Sequence, residues 1–202
     1  AVYEDYFVQL AEAGFTNVRI PVDFYGGGFL NADYVLNGSQ RSSINIDDCT
    51  DNSCFSSNSN TASNYNGSLD DYQVNQGYLD RVQQIVDWAI THNIIVVLYF
   101  HWNNLKQQFV YTFQNEQING VNYYTNPTSA KRLADINRFK ALWKDIANRF
   151  KDYSNDQLVF DIINEPYFSI SANEMDELNL EVISTIRSTG SNNLSRSIII
   201  NG

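Results

Sequence analysis

Four short apolar runs, 17–22 (NVRIPV), 94–100 (IIVVLYF), 157–163 (QLVFDII) and 197–200 (SIII), alternate with stretches whose apolar residues recur at helical spacing. Leu79, Val82, Ile85, Val86, Ala89 and Ile90 share one helical face, and His92-Asn93 closes that helix. Leu133, Ile136, Phe139, Leu142, Trp143, Ile146 and Phe150 mark a second long helix, and Leu178, Val182, Ile183 and Ile186 a third. Ser171 with Glu174 forms a capping box that opens the third helix, and Gly190 ends it. A shorter amphipathic segment at 3–13 comes first, with Phe7, Leu10 and Ala11 on one face. Gly14 follows it at the position where only glycine takes the left-handed conformation without a Cβ penalty. Strands as continuously apolar as 94–100 are expected to be covered on both faces. Their alternation with helices specifies a parallel sheet joined by right-handed crossovers.

Residues 24–75 interrupt this pattern. Gly26-Gly27-Gly28 leads into a tract rich in Asn, Ser and Asp, far too long for an ordinary connection. The segments on either side belong to one alternation, so the tract reads as a loop insertion within a single domain spanning 1–202. The glycine run follows a strand but opens no helix, so the dinucleotide-binding turn is absent. Thirteen Lys+Arg against 23 Asp+Glu leave a formal charge of −10. Such a chain offers a nucleic acid no counterion release, and nucleic-acid binding is excluded. Lys131, Arg132, Arg138, Lys140, Lys144, Arg149 and Lys151, interrupted by Asp135, Asp145 and Asp152, read as the solvated face of a helix. No apolar run approaches the ~20 residues of a membrane span.

Cys49 and Cys54 are the only cysteines, and a small disulfide loop is favoured over two free thiols. With only His92 and His101 elsewhere, the chain does not supply four good zinc ligands, and no metal is expected. The sequons at Asn37, Asn66 and Asn193 agree with an oxidising, secreted, extracellular setting. The start at Ala1, without Met or a signal-like segment, is that expected of a processed or cropped product. Thirteen Tyr suggest rings half exposed with polar tips.

Four parallel strands fit either a barrel or an open doubly wound sheet. The polar residues at their ends favour the barrel, whose catalytic groups stand at the C-terminal ends of several strands. The first run carries Arg19 and then Asp23, the second ends in His101, the third in Asn164-Glu165-Pro166, and the fourth in Asn201. Arg19, mid-strand, needs a carboxylate partner. It serves either a structural ion pair or, the favoured reading, a catalytic carboxylate that it keeps ionised. His101 alone would read as a satisfied core histidine; beside Glu165 and Arg19 it reads as an active-site group. Glu165 closes an apolar strand, where burial would hold its proton as a general acid requires. Asn164 can donate from its amide to a substrate hydroxyl or a partner carboxylate.

G-F-T-N-V-R-I-P-V at 14–22, Y-L-D-R-V-x-x-I-V-D-W-A at 78–89, the strand ending in His101 and L-V-F-D-I-I-N-E-P at 158–166 together resemble glycoside hydrolase family 5. The helix and strand at 175–202 are also similar to that family. The resemblance implies a (β/α)8 barrel, present here as an incomplete portion whose four strands look like the second to fifth. It implies a retaining endoglucanase acting on β-1,4-glucan polysaccharide or oligosaccharide, with no cofactor. Glu165 matches the acid/base, Asn164 the neighbour that contacts the sugar 2-hydroxyl and the nucleophile, and Arg19 the arginine that binds the nucleophile. His101 matches the histidine after the third barrel strand.

No residue matches the nucleophile, so a segment of a longer enzyme is expected, with that group outside this chain. Asp23, Asp161 and Glu174 are carboxylates near strand ends; Asp161 is expected inside its strand and Glu174 as a helix cap. Tyr99 and Trp102 depart from the family pattern around His101. Trp102, Asn103, Tyr25, Tyr167 and Asn201 are the expected sugar contacts. Mannan, xyloglucan and mixed-linkage glucan are alternative substrates, and a non-catalytic carbohydrate-binding barrel fragment is the alternative function.

Overall fold

The computed structural model describes residues 2–22, 74, 76–101, 117–118, 121–122, 130–166 and 170–201. All four expected strands form: β1 (Asn17–Val22), β2 (Ile95–Phe100), β5 (Leu158–Asp161) and β6 (Ile198–Ile199). They pair in the order β1-β2-β5-β6, every pair parallel. Between them run α2 (Gln76–Thr91), α3 (Ala130–Phe150) and α4 (Ala172–Ser188), with α1 (Glu4–Glu12) ahead of β1. A further hairpin, β3 (Gln117–Ile118) with β4 (Val121–Asn122), lies where the sequence reads as loop. The intervening Asn119-Gly120, a favoured two-residue hairpin pair, is the signal for it.

Helix ends follow local chemistry. Gly14 and Asn93 leave α1 and α2 with φ of 85° and 59°. Ser171 caps α4 in the expected reciprocal box with Glu174. Beyond α4, a 3₁₀ turn at Ser191–Leu194 intervenes before β6, too short to show a period in the sequence.

One face of the sheet is the core. Val22, Val96, Leu98, Phe100, Leu158 and Phe160 are buried there against Val86, Phe139, Trp143, Ile146 and Val182 of the helices. On the opposite face Asn17, Arg19, Pro21 and Ile95 are exposed and Val97, Tyr99 and Val159 half-buried. The expectation of strands covered on both faces therefore holds for one face among the described residues. Trp143 braces the sheet where β5 ends, packing on Phe160 and donating its indole N–H to the Ile162 carbonyl at 3.1 Å.

Arg196 holds the other end of β5. It is fully buried with no carboxylate partner among the described residues, and donates to Asn193 Oδ1 and the carbonyls of Leu158, Phe150 and Tyr153 at 2.6–2.9 Å. Burial, helped by the nearby charge of Arg187, pushes its pKa down to about 10. Asn193 is itself fully buried, donating to the Ala147 carbonyl and Thr189 hydroxyl. A glycan cannot be accommodated there in the folded chain, which removes Asn193 from the sequons that spoke for secretion.

The basic face of α3 is not simply solvated. Arg149 donates to Asp80, Gln83 and Gln76 of α2, and Lys140 pairs with Glu181 of α4 at 2.9 Å. Tyr153 donates to Asp87 at 2.6 Å; burial and that hydrogen bond push its pKa up to about 12.

Asp145 accepts the Val74 N–H at 2.7 Å. Burial raises its pKa above the ordinary 3.8, outweighing the Val74 hydrogen bond and the charges of Lys144 and Arg149. Between the ordinary and raised values the folded chain keeps a proton that the unfolded chain has lost, so stability falls as pH rises through that window. Asp145→Asn keeps an acceptor and removes the charge. It is expected to raise the melting temperature at pH 7, with the margin over wild type closing below about pH 4.

Candidate active site

The C-terminal ends of β1, β2 and β5 are tied at backbone level. His101 N–H donates to the Val22 carbonyl at 3.2 Å, and Asn164 N–H to the Phe100 carbonyl at 2.8 Å. These bonds place His101, Asn164 and Glu165 on one rim of the sheet. The parallel register aligns Arg19 with Val97 and Val159, and Pro21 with Tyr99 and Asp161, all on the face away from the helices.

Arg19 reaches from β1 across β2 to β5, a span of two strand spacings, about 9–10 Å. Its guanidinium carbon lies 3.5 Å from the centroid of the Tyr99 ring, so the group crosses β2 on an aromatic floor. At the far side Nε donates to Asp161 Oδ2 at 3.1 Å and Nη2 to the same oxygen at 2.7 Å. Nη2 also donates to Asn164 Oδ1 at 2.9 Å. The Asp161 side chain is 3% exposed and that of Arg19 43%.

Arg19 thus finds its carboxylate within the chain. Asp161, expected inside its strand, lies there and is the partner. Two lone charges of opposite sign, each in an apolar strand run on the sheet's same face, were the signal that could have joined them. The ion pair does not exhaust Arg19. Of its five N–H donors, three serve Asp161 and Asn164, and the two on Nη1 have no hydrogen-bond partner among the described residues.

Glu165 follows Asn164 with φ of +43°, in the left-handed region that a side-chain-bearing residue seldom occupies. Such conformations cost about 1–3 kcal/mol and cluster where a side chain must be aimed. Its side chain is exposed, so the burial expected to hold its proton does not come from the described residues. His101 is also exposed, with its ring edge-on to Tyr99 at 5.4 Å. Tyr99, a departure from the expected pattern, therefore stands between Arg19 and His101 and touches both.

Asn201 reaches the same end of the sheet, but its amide donates to the Ile163 carbonyl, and its own carbonyl accepts from Asn179 at 3.3 Å. It knits β6 to β5 and α4. Trp102, Asn103, Tyr25, Tyr167 and Asp23, the Cys49–Cys54 loop, the sequons Asn37 and Asn66 and nearly all of the 24–75 insertion lie outside the described residues.

Against known families, residues 2–202 match one described as cellulase (glycosyl hydrolase family 5). The chain belongs to glycosyl hydrolase family 5. Among family relatives, Endoglucanase H of Acetivibrio thermocellus is 30% identical over 131 residues, covering 65% of this chain and 12% of that protein. Endoglucanase B of Clostridium cellulovorans is 30% identical over 147 residues, covering 66% of this chain and 29% of that protein. A solved family 5 endo-β-1,4-glucanase from Bacillus licheniformis, complexed with cellotetraose, superposes with a TM-score of 0.62 at 28% identity. That match covers 98% of this chain and 28% of the solved one. The chain thus spans less than a third of each of these relatives. Solved family members are (β/α)8 barrels, and the parallel four-stranded sheet with alternating helices is a partial segment of that architecture. Among the described residues no helix is long and apolar enough to cross a membrane.

Proposed function

We propose that the protein carrying this chain hydrolyses β-1,4-linked glucan internally, with retention at the anomeric carbon. Glu165 is the proton donor and then the base. The reading rests above all on the Arg19–Asn164 contact, which ties a cation and an amide into one rim beside a glutamate held at left-handed φ.

In the first step a carboxylate nucleophile attacks the anomeric carbon while Glu165 gives its proton to the departing glycosidic oxygen. In the second, Glu165 takes a proton from water, whose oxygen displaces the carboxylate and releases the sugar. The two carboxyl groups have to stand about 5–5.5 Å apart for this course. The nucleophile is assigned outside these 202 residues, and the two Nη1 protons of Arg19 are suited to hold it ionised. Asn164, whose oxygen faces Arg19, carries its amide nitrogen on the opposite side of the group, suited to a sugar hydroxyl. Glu165 is exposed among the described residues, and a sugar chain laid over it would exclude water from the proton transfer.

The chain 1–202 is then a partial catalytic domain carrying the 24–75 insertion, with Trp102, Asn103, Tyr25 and Tyr167 as sugar contacts and Cys49 and Cys54 as a disulfide. An insoluble polymeric substrate implies an extracellular site of action. Hydrolysis of cellopentaose by the full-length protein, followed by proton NMR during the first minutes, tests the course. The β anomer is expected first, mutarotating later to the equilibrium mixture. First appearance of the α anomer contradicts the two-step course, and no hydrolysis of any β-glucan contradicts the assignment.

A further inference from the structure

We infer that Asp161 is a positioning residue for this reaction. It acts through Arg19, on the seat provided by Tyr99, to set the rotation of the Asn164 amide beside Glu165. The inference rests on the catalytic reading above and adds to it a residue in no direct contact with sugar.

Asp161 is buried, and among the described residues its charge is met by the Arg19 guanidinium. Both Arg19 bonds converge on Oδ2, while Oδ1 is buried with no hydrogen-bond partner among the described residues. An ion pair with its carboxylate buried adds little net stability, because desolvation of that carboxylate offsets much of the Coulombic gain. What the arrangement supplies is direction. The Tyr99 ring fixes the plane of the guanidinium at 3.5 Å, and Asp161, directly opposite Tyr99 in the register, fixes its rotation within that plane. With both constraints in place Nη2 stands 2.9 Å from Asn164 Oδ1.

The consequence for Asn164 is a matter of donor chemistry. Arginine has donors only, so the Asn164 oxygen must face it and the NH2 group must face the other way. A fixed guanidinium favours that sense of the amide, with its donor side toward a sugar hydroxyl, and a loosened one weakens the preference. The same loosening would move the Nη1 protons that the nucleophile is proposed to use. Displacements of about 1 Å in such groups cost on the order of 100-fold in rate.

The test uses the full-length protein, with Asp161→Asn and Tyr99→Leu as separate variants. Two readouts are taken: nitrogen–proton NMR of the Arg19 Nε–H and the Asn164 side-chain amide, and kcat and KM on cellopentaose with thermal melting alongside. In wild type the Arg19 Nε–H is expected to exchange slowly. In Asp161→Asn its exchange is expected to quicken at least about tenfold, the Asn164 amide pair to shift, and kcat to fall about 10–100-fold with KM within about threefold. Tyr99→Leu is expected to change all three in the same direction by less.

An unchanged Arg19 exchange rate and Asn164 resonance, or an unchanged kcat, in a folded Asp161→Asn overturns the inference. Should that variant fail to fold, Tyr99→Leu decides by the same criteria. Glu165→Gln serves as the separate control: full hydrolysis in that variant sinks the catalytic reading, whereas the NMR readout still reports whether Asp161 orders Arg19 and Asn164.

Discussion

Arg19→Met is expected to destabilise the protein by about 3 kcal/mol and to lower kcat/KM by at least about 100-fold. The stability figure comes from what is left behind. Asp161 remains buried with neither oxygen bonded by a described side chain, and breaking a buried pair costs about 3–5 kcal/mol. The lower end applies because Arg19 is partly exposed, so water reaches part of the site that it vacates beside Asp161. The double variant Arg19→Met/Asp161→Leu is expected to regain most of the lost stability while remaining inactive. Urea denaturation of the wild type, both single variants and the double variant measures the coupling directly. A penalty under about 0.5 kcal/mol for Arg19→Met would place the pair with ordinary surface ion pairs, which are worth little.

Glu165→Gln is expected to reduce hydrolysis of cellulose-like polymer by about 100- to 10,000-fold, the range that a positioned general acid contributes. The substitution keeps the size of the side chain and the left-handed backbone that carries it, so the melting temperature is expected to stay within a few degrees of wild type. Loss of activity without loss of fold is the signature of a group that acts in the chemistry. By contrast, the effect expected of Arg19→Met falls on stability and rate together, because Arg19 is both a structural partner of Asp161 and a neighbour of the reacting groups. The two substitutions thus separate the proton donor from the frame that surrounds it.

Element order was legible in the residues because the two periodicities are clean. The runs around Val96 and Phe160 could only be strands, and Phe139, Trp143, Ile146 and Phe150 could only line one side of a helix. Gly14 and the Ser171–Glu174 box marked boundaries because each satisfies a specific backbone need. The Gln117–Asn122 hairpin was lost inside a long aromatic loop, where two-residue strands have no period to read. The site was legible at its ends but not across its middle. Arg19, Asn164 and Glu165 stand out as polar residues in or after apolar strands, yet the contact between Arg19 and Asp161 spans three strands, and no local pattern encodes it. The buried role of Asn193 was hidden for a similar reason: its partner Arg196 is near in sequence, but the carbonyls that both satisfy belong to the far end of α3 and the start of β5. Glu165 is exposed among the described residues, where the end of an apolar strand was expected to bring an apolar surrounding; the apolar face of β5 points to the helices, and the rim does not.

The central claim is that Glu165 delivers the proton to the leaving oxygen. The most direct measurement is the rate of glycosyl-enzyme formation by Glu165→Gln from a series of aryl β-cellobiosides whose phenols differ in acidity. Phenols that leave well as anions need no proton, so for them the variant is expected to match wild type within a few-fold, with the deficit growing steadily as the phenol becomes less acidic. A deficit of the same size across the whole series would contradict the claim, since a group that donates the proton cannot matter equally to leaving groups that need one and those that do not.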